Sequence, residues 1–99
     1  MDKPKFEVDF NELIEPDLVG LSASDTKVPV SGEPIMLYEG LEVHVFEEDD
    51  FQGVKDDLVA SGIAVRNTTG FLMQIKWCCR IDANGIRHES DLPDKDGSH

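Results

Sequence analysis

Hydrophobic and polar residues alternate strictly along residues 71–81. The apolar positions are Phe71, Met73, Ile75, Trp77, Cys79 and Ile81. Because successive strand side chains point to opposite faces, this pattern predicts one long strand with an apolar face. Asn84-Gly85 follows, a dipeptide that accepts positive φ and reverses the chain. We therefore expect residues 86–90 to run back along this strand as a hairpin.

Two further segments, residues 41–46 and 58–67, also have the alternation typical of strands. Gly62 interrupts the second segment and indicates a bend where a small sheet curls. A loop of about ten residues joins these two segments, and short turns join the strands that follow. Consecutive short strands with tight turns predict a mainly β fold, a small curled antiparallel meander that closes into a barrel.

Several features of this meander carry a resemblance to a known family. They are Gly40-Leu41-Glu42-Val43, the loop Glu47–Asp57, Gly62 in mid-strand, the Trp77 strand, and Gly85-Ile86 before Ser90-Asp91-Leu92. Over about residues 40–92 the arrangement resembles SH3-like barrels, including the Tudor and KOW kinds. We assign the SH3-like barrel to residues 35–92 and an acidic N-terminal extension of strand, turn and loop to residues 1–34. The polar tail, residues 93–99, is expected to be disordered.

Charge is distributed unevenly along the 99 residues, which carry a net charge of −12. Residues 1–50 contain 14 acidic and 3 basic residues, and residues 51–99 contain 7 and 6. This excess argues against direct binding of nucleic acid or anionic membranes, since phosphate contacts require Lys and Arg. It favours a basic protein surface as the partner. With no apolar run of membrane-span or signal-peptide length, we expect a cytoplasmic protein.

Residues with catalytic or metal-binding chemistry occur without a pattern that joins them. Cys78 and Cys79 are adjacent and point to opposite faces of a strand, so we expect free thiols, with Cys78 facing outward. The three His and two Cys lack the spacing of a zinc site, and residues 47–50 lack the calcium-loop pattern. No Ser has nucleophile-elbow context. We therefore expect no metal, no cofactor and no enzymatic activity, with a Cys78 or Cys79 enzyme as the open alternative.

Aromatic residues near carboxylates are the best candidates for a binding surface. Trp77 shares the parity of the core positions, so we assign it to the core, where its indole N–H needs a partner. Phe46 has the opposite parity from Val43 and Val45, and it either faces the surface or covers a second small core. The predicted partner-binding residues are Tyr38, Phe46, Glu47, Glu48, Asp49 and Asp50, whose carboxylates would pair with Lys or Arg while the aromatics anchor.

These observations favour a non-enzymatic, acidic protein–protein interaction domain that binds a basic partner. The alternative is an immunity protein or nucleic-acid mimic that inhibits a nucleic-acid-acting protein, with carboxylates in place of phosphates. In the first 21 residues, apolar side chains interleaved with acidic ones either pack on the barrel or dock on the partner. Long edge strands and free thiols leave a homodimer open.

Overall fold

The computed structural model describes residues 3–91 and is mainly β, with no α-helix in that range. The strands are β1 (Lys5–Glu7), β2 (Leu13–Glu15), β3 (Leu18–Ser22), β4 (Thr26–Lys27), β5 (Ile35–Met36), β6 (Glu42–Glu47), β7 (Asp50–Phe51), β8 (Val54–Lys55), β9 (Leu58–Arg66), β10 (Trp77–Ile81) and β11 (Arg87–His88). Two 3-10 helices are η1 (Phe10–Glu12) and η2 (Glu89–Asp91). Within this range no helix has the length and apolarity needed to cross a membrane. The tail assigned to residues 93–99 lies outside the described residues.

Seven of the strands form one mixed sheet in the order β1-β6-β9-β10-β3-β2, with β11 also paired to β9. β1 runs parallel to β6, and the other pairs are antiparallel. β4–β5 and β7–β8 form two small hairpins outside the sheet. Residues 5–22, which we assigned to an N-terminal extension, thus supply three strands of the main sheet, β1, β2 and β3.

The main sheet is curled, because its two end strands are close together along the chain. Only residues 8–12 separate β1 from β2. Six strands laid flat at their usual spacing would place the end strands about 24 Å apart. The six residue steps from Glu7 to Leu13 span at most about 21 Å, and η1 shortens that path further. No ladder joins β1 to β2 within residues 3–91, so the described sheet is curled without being a closed barrel.

The concave face of the sheet holds the main core. Its fully buried members include Phe6 of β1, Val43 and Val45 of β6, Val19 of β3 and Cys79 of β10. Small residues face large ones across the ladders: Ala60 lies opposite Val45, and Ala64 lies opposite Cys79. The sequence-based assignment of Trp77 to the core is confirmed, since 2% of its surface is exposed. Its indole N–H donates to Asp25 Oδ1 at 3.0 Å.

A second, smaller core lies on the other face of β10. It consists of Leu18, Ile75 and Cys78, with Ile14 and Leu72 packed against it. Cys78 does point away from Cys79, as strand alternation requires, but this face is covered. The expectation that Cys78 faces outward is therefore wrong.

The long strand expected over residues 71–81 is shorter, since β10 begins only at Trp77. Residues 71–72 bend and residues 73–74 form a turn, and Leu72 has a φ of +49°. The Asn84-Gly85 turn does form, with the Gly85 N–H donating to Asp82 O at 3.0 Å. The expected hairpin does not, because β11 pairs with β9.

The order of contacts along β9 explains this difference. β10 pairs with β9 down to Ile81 opposite Gly62, and β11 resumes on the same edge with Arg87 opposite Val59. After Asp82, whose N–H still donates to Ser61 O of β9, the chain leaves β9 for residues 83–86 and rejoins it in the same direction.

Candidate functional site

An acidic groove of about 530 Å³ lies where β1, η1 and the end of β6 meet. The carboxylates that line it are Glu7, Asp9, Glu12, Glu47 and Glu48. They come from two segments more than 30 residues apart in the sequence. One ammonium group, that of Lys27, also lines the groove. With five acidic residues and one basic residue, this groove collects part of the acidic excess of the first half of the chain.

Backbone contacts between β1 and β6 place these carboxylates side by side. Glu7 is the register partner of Phe46, so Glu47 and Glu48 follow directly beyond the end of β1. The Val8 N–H donates to Phe46 O at 2.8 Å, and the Phe10 N–H donates to Glu47 Oε1 at 3.1 Å. These bonds tie the start of η1 to the acidic run.

The start of η1 is capped by one of the groove carboxylates. Asp9 Oδ1 accepts the N–H of Asn11 at 2.9 Å, so this carboxylate satisfies an orphan donor of the first turn. Gly20 of β3 also lines the groove. A Cβ at that position would lie 3.3 Å from Glu12 Oε1, so the missing side chain leaves room for the Glu12 carboxylate over the sheet.

Lys27 sits half-buried among the groove carboxylates. Burial lowers the pKa of its ammonium, and the nearby charges of Glu12 and Glu7 act in the opposite direction. Since the groove lining contains one basic residue and five acidic ones, Lys27 offsets only part of the negative charge. The groove therefore keeps a net negative charge, which attracts an approaching cation.

The predicted acidic run is divided between two surfaces. Glu47 and Glu48 line the acidic groove. Asp49 and Asp50 turn away into the β7–β8 hairpin, where Asp49 O accepts the Asp56 N–H at 2.9 Å and Asp50 pairs with Lys55. The carboxylates of Glu7, Asp9 and Glu12 were not among the predicted site residues. Only the parallel pairing of β1 with β6 brings them to Glu47, and no local sequence signal specifies that pairing.

The two aromatic candidates, Tyr38 and Phe46, do not come together. Gly40, two residues after Tyr38, donates its N–H to Ala64 O, whereas Phe46 pairs with Val59. The five residue steps from Val59 to Ala64 along β9 correspond to about 17 Å of strand. Tyr38 is 58% exposed at its end of the sheet and does not line the acidic groove.

Phe46 is buried, so of the two alternatives left open for it, an exposed position is wrong and a covered one agrees with the structure. The Lys5 ammonium lies 4.9 Å from the centre of the Phe46 ring. That distance is typical of a cation–π contact. The chain therefore supplies its own cation to the ring, and Phe46 is not a free anchor for a partner side chain.

A second groove of about 460 Å³ combines charges of both signs along β6 and β9. Lys5, His44, Ser61, Asp82 and Arg87 contribute to its lining. His44 Nδ1 and Ser61 Oγ are 2.7 Å apart because the two residues lie directly opposite each other in the ladder. Ser61 belongs to a regular strand, and its carbonyl accepts the Asp82 N–H at 2.8 Å. This geometry is that of a cross-strand pair.

The two thiols are poorly suited to covalent chemistry in the folded state. Burial raises the pKa of the Cys78 thiol, and it raises the pKa of Cys79 to about 12. Because the thiolate is the nucleophile, both groups stay in their unreactive protonated form near neutral pH. This arrangement offers no accessible thiolate that an enzyme mechanism based on Cys78 or Cys79 could use.

Metal coordination does not account for the acidic groove. Among the described residues, no group of three or more His, Cys, Asp or Glu side chains is placed to hold a metal ion. The groove is lined by five acidic residues from two segments, which suits a partner with several separate cationic groups. Comparison with known proteins finds no matching family model, no matching curated protein and no matching solved structure.

Proposed function

We propose that this chain is a non-enzymatic interaction domain that binds a basic segment of a partner protein in the acidic groove. The observation that carries the proposal is that five acidic residues from two distant segments line one groove, whose single basic residue is the half-buried Lys27. Like charges held together in this way repel one another, so the arrangement favours a partner that brings Lys or Arg side chains.

We also propose that the curled sheet is a variant of the SH3-like barrel. The support is the consecutive pairing of β6, β9 and β10, with Gly62 in the middle of β9 and η2 directly after β11. An experimental structure with a ladder between β1 and β2 would establish closure. Free, buried thiols at Cys78 and Cys79 favour a reducing compartment, the cytoplasm, as the location of the protein.

The groove is tested with a labelled octapeptide of alternating Lys and Ser, titrated into the ¹⁵N-labelled chain. We expect the largest amide shifts at residues 7–12 and 47–48. Affinity should fall at least about tenfold between about 20 and about 200 mM NaCl, because exposed charges are screened over that range. Binding that is insensitive to salt contradicts the proposal, and so does a shift pattern centred elsewhere.

Two triple variants that change the net charge equally distinguish the effect of the groove carboxylates from the effect of the overall charge of the chain. The groove variant carries Glu7→Gln, Glu12→Gln and Glu48→Gln. The control variant carries Glu33→Gln, Glu42→Gln and Glu89→Gln. We expect the groove variant to lose at least about tenfold in affinity and the control to lose about twofold, since local charge acts over a Debye length of about 10 Å. Equal losses would show that only net charge matters.

A further inference from the structure

The loop before β10, residues 67–76, is organised by one side chain. The Asn67 amide nitrogen donates to the carbonyls of Phe71, Leu72 and Ile75 at 2.9, 3.2 and 3.0 Å. Asn67 Oδ1 accepts both the N–H and the hydroxyl of Thr69. Every acceptor and donor of this network lies within nine residues of Asn67. These hydrogen bonds hold the loop in a defined shape, so the shape does not require its apolar side chains to be buried.

This shape exposes large apolar side chains at the cost of backbone strain. Leu72 adopts a φ of +49°, a conformation that bulky L residues disfavour, and its side chain packs against the second core. The neighbours on either side point outward: Phe71 is 69% exposed and Met73 is 82% exposed. A strained residue that turns an aromatic side chain toward water indicates a surface built for contact.

The exposed ring of Phe71 is part of an apolar groove along β2. This apolar groove, of about 320 Å³, is lined by Asn11, Leu13, Ile14, Phe71 and Leu72. Leu13 is 40% exposed. Within the described residues β2 pairs only with β3, so its outer edge carries no ladder. An unpaired edge offers backbone donors and acceptors to an added strand.

Consecutive residues of η1 line the apolar groove and the acidic groove. Asn11 lines the apolar groove, and the next residue, Glu12, lines the acidic groove. A single extended segment could therefore contact both. A second copy of this chain is a poor occupant, because it would bring another net charge of −12 to the acidic side. A basic segment with interspersed apolar side chains is complementary to both grooves.

We propose that the apolar groove seats the apolar side chains of an extended, basic partner segment, which adds as a strand to the outer edge of β2. The inference rests on the proposed function, because the acidic groove selects the charge of the segment. Alternation of side chains in the added strand sends one set toward Leu13 and Phe71 and leaves the other set free to reach carboxylates.

Two labelled octapeptides of equal charge test the inference, one alternating Lys and Leu and the other alternating Lys and Ser. We expect the Lys–Leu peptide to bind the wild-type chain at least about tenfold more tightly, since burial of apolar side chains adds to the shared electrostatic attraction. Bound Lys–Leu peptide should also slow amide hydrogen exchange at residues 13–15, the edge of β2.

Phe71→Ser and Leu13→Ser should each reduce this preference to about twofold or less, because each removes part of the apolar lining. Val54→Ser is the matched control, since Val54 is 66% exposed and lies in β8, outside both grooves. The control should keep the full preference. Thermal melts of all three variants establish that each remains folded, and two independent variants keep the test valid if one does not.

The outcomes separate this inference from the proposed function. Equal binding of the two peptides, unchanged in Phe71→Ser, overturns the apolar inference and leaves the acidic groove standing. Failure of both peptides to bind overturns the proposed function and this inference with it. Sedimentation at high salt decides the remaining case: a wild-type dimer that Phe71→Ser converts to a monomer would assign the apolar groove to a second copy and overturn the proposal.

Discussion

Gly62 is the position where the curled sheet has least room for a side chain. It lies in the middle of β9, paired to Val43 of β6 on one side and to Ile81 of β10 on the other. A Cβ added there would lie 2.0 Å from the Arg80 carbonyl oxygen. That oxygen belongs to the backbone of β10, so relief of the clash requires β10 to move away from β9.

Gly20 provides a matched comparison in β3. A Cβ at Gly20 would lie 2.6 Å from Ile75 Cδ1, which is the end of a flexible side chain. Neither glycine has a positive φ. Substitution by alanine therefore tests steric fit alone, and both variants share the same gain of about 0.5–1 kcal/mol from the less flexible unfolded chain.

The expected cost of Gly62→Ala is about 3 kcal/mol or more, at or above the upper end for overpacking, because backbone has to move. The expected net effect of Gly20→Ala is within about 1 kcal/mol of zero, since a rotamer change at Ile75 costs about 1 kcal/mol. For a domain of this length, 3 kcal/mol corresponds to a loss of roughly 12–24 °C in Tm.

Urea unfolding followed by the fluorescence of Trp77, the chain's single tryptophan, measures both variants. Burial of its indole makes the signal sensitive to unfolding. The reasoning is refuted if Gly62→Ala unfolds within about 0.5 kcal/mol of the wild-type chain, or if Gly20→Ala is the more destabilised of the two. A change in the urea m-value would indicate that the variant no longer unfolds in the same two-state manner.

Two further predictions concern ionisable groups. Both thiols should resist a disulfide reagent at pH 8 in the native chain, because burial holds Cys78 and Cys79 protonated, and both should react once urea unfolds the chain. Fast labelling of the native chain would contradict this prediction. Hydrogen bonds from Trp77 and Lys76 lower the pKa of the Asp25 carboxyl below its ordinary value of 3.8. The ionised Asp25 carboxylate therefore stabilises the folded chain above pH 3.8, and this stabilisation is lost as the pH falls through the pKa of the folded state. Asp25→Asn should therefore flatten the acid limb of the stability curve below about pH 4, and an unchanged limb would contradict the assignment.

Strands with simple alternation and long ladders were predictable from sequence. The segments 41–46 and 58–67 correspond to β6 and β9 within one residue at each end. In β6 the apolar positions of the alternation, Val43 and Val45, are the ones that pack into the main core. In β9 the residues facing the main core are Ala60 and Ala64, and the apolar positions Ile63 and Val65 lie on the other face. The bend expected at Gly62 also agrees with the close approach of β10 to β9 at this point.

The region after β9 shows where alternation misleads. Phe71 and Met73 continue the parity of Trp77, yet the Asn67 network bends this segment into turns and exposes both side chains. A side chain that bonds to nearby carbonyls competes with strand pairing, and the apolar pattern does not reveal that competition. The Asn84-Gly85 dipeptide likewise predicted a turn with positive φ, but it did not predict which strand the chain pairs with after the turn. β9 is longer than β10, so its remaining edge was free to accept β11.

The acidic groove depends on information of longer range. The number of charged residues showed that the first half of the chain is acidic. That number is the same whether the acidic residues are scattered over the surface or line one groove. Parallel pairing of β1 with β6 makes the difference, because it sets Glu7 beside the end of β6 and leads the chain through Asp9 into η1. The acidic groove is therefore a product of the tertiary pairing, which the number of acidic residues along the chain does not specify.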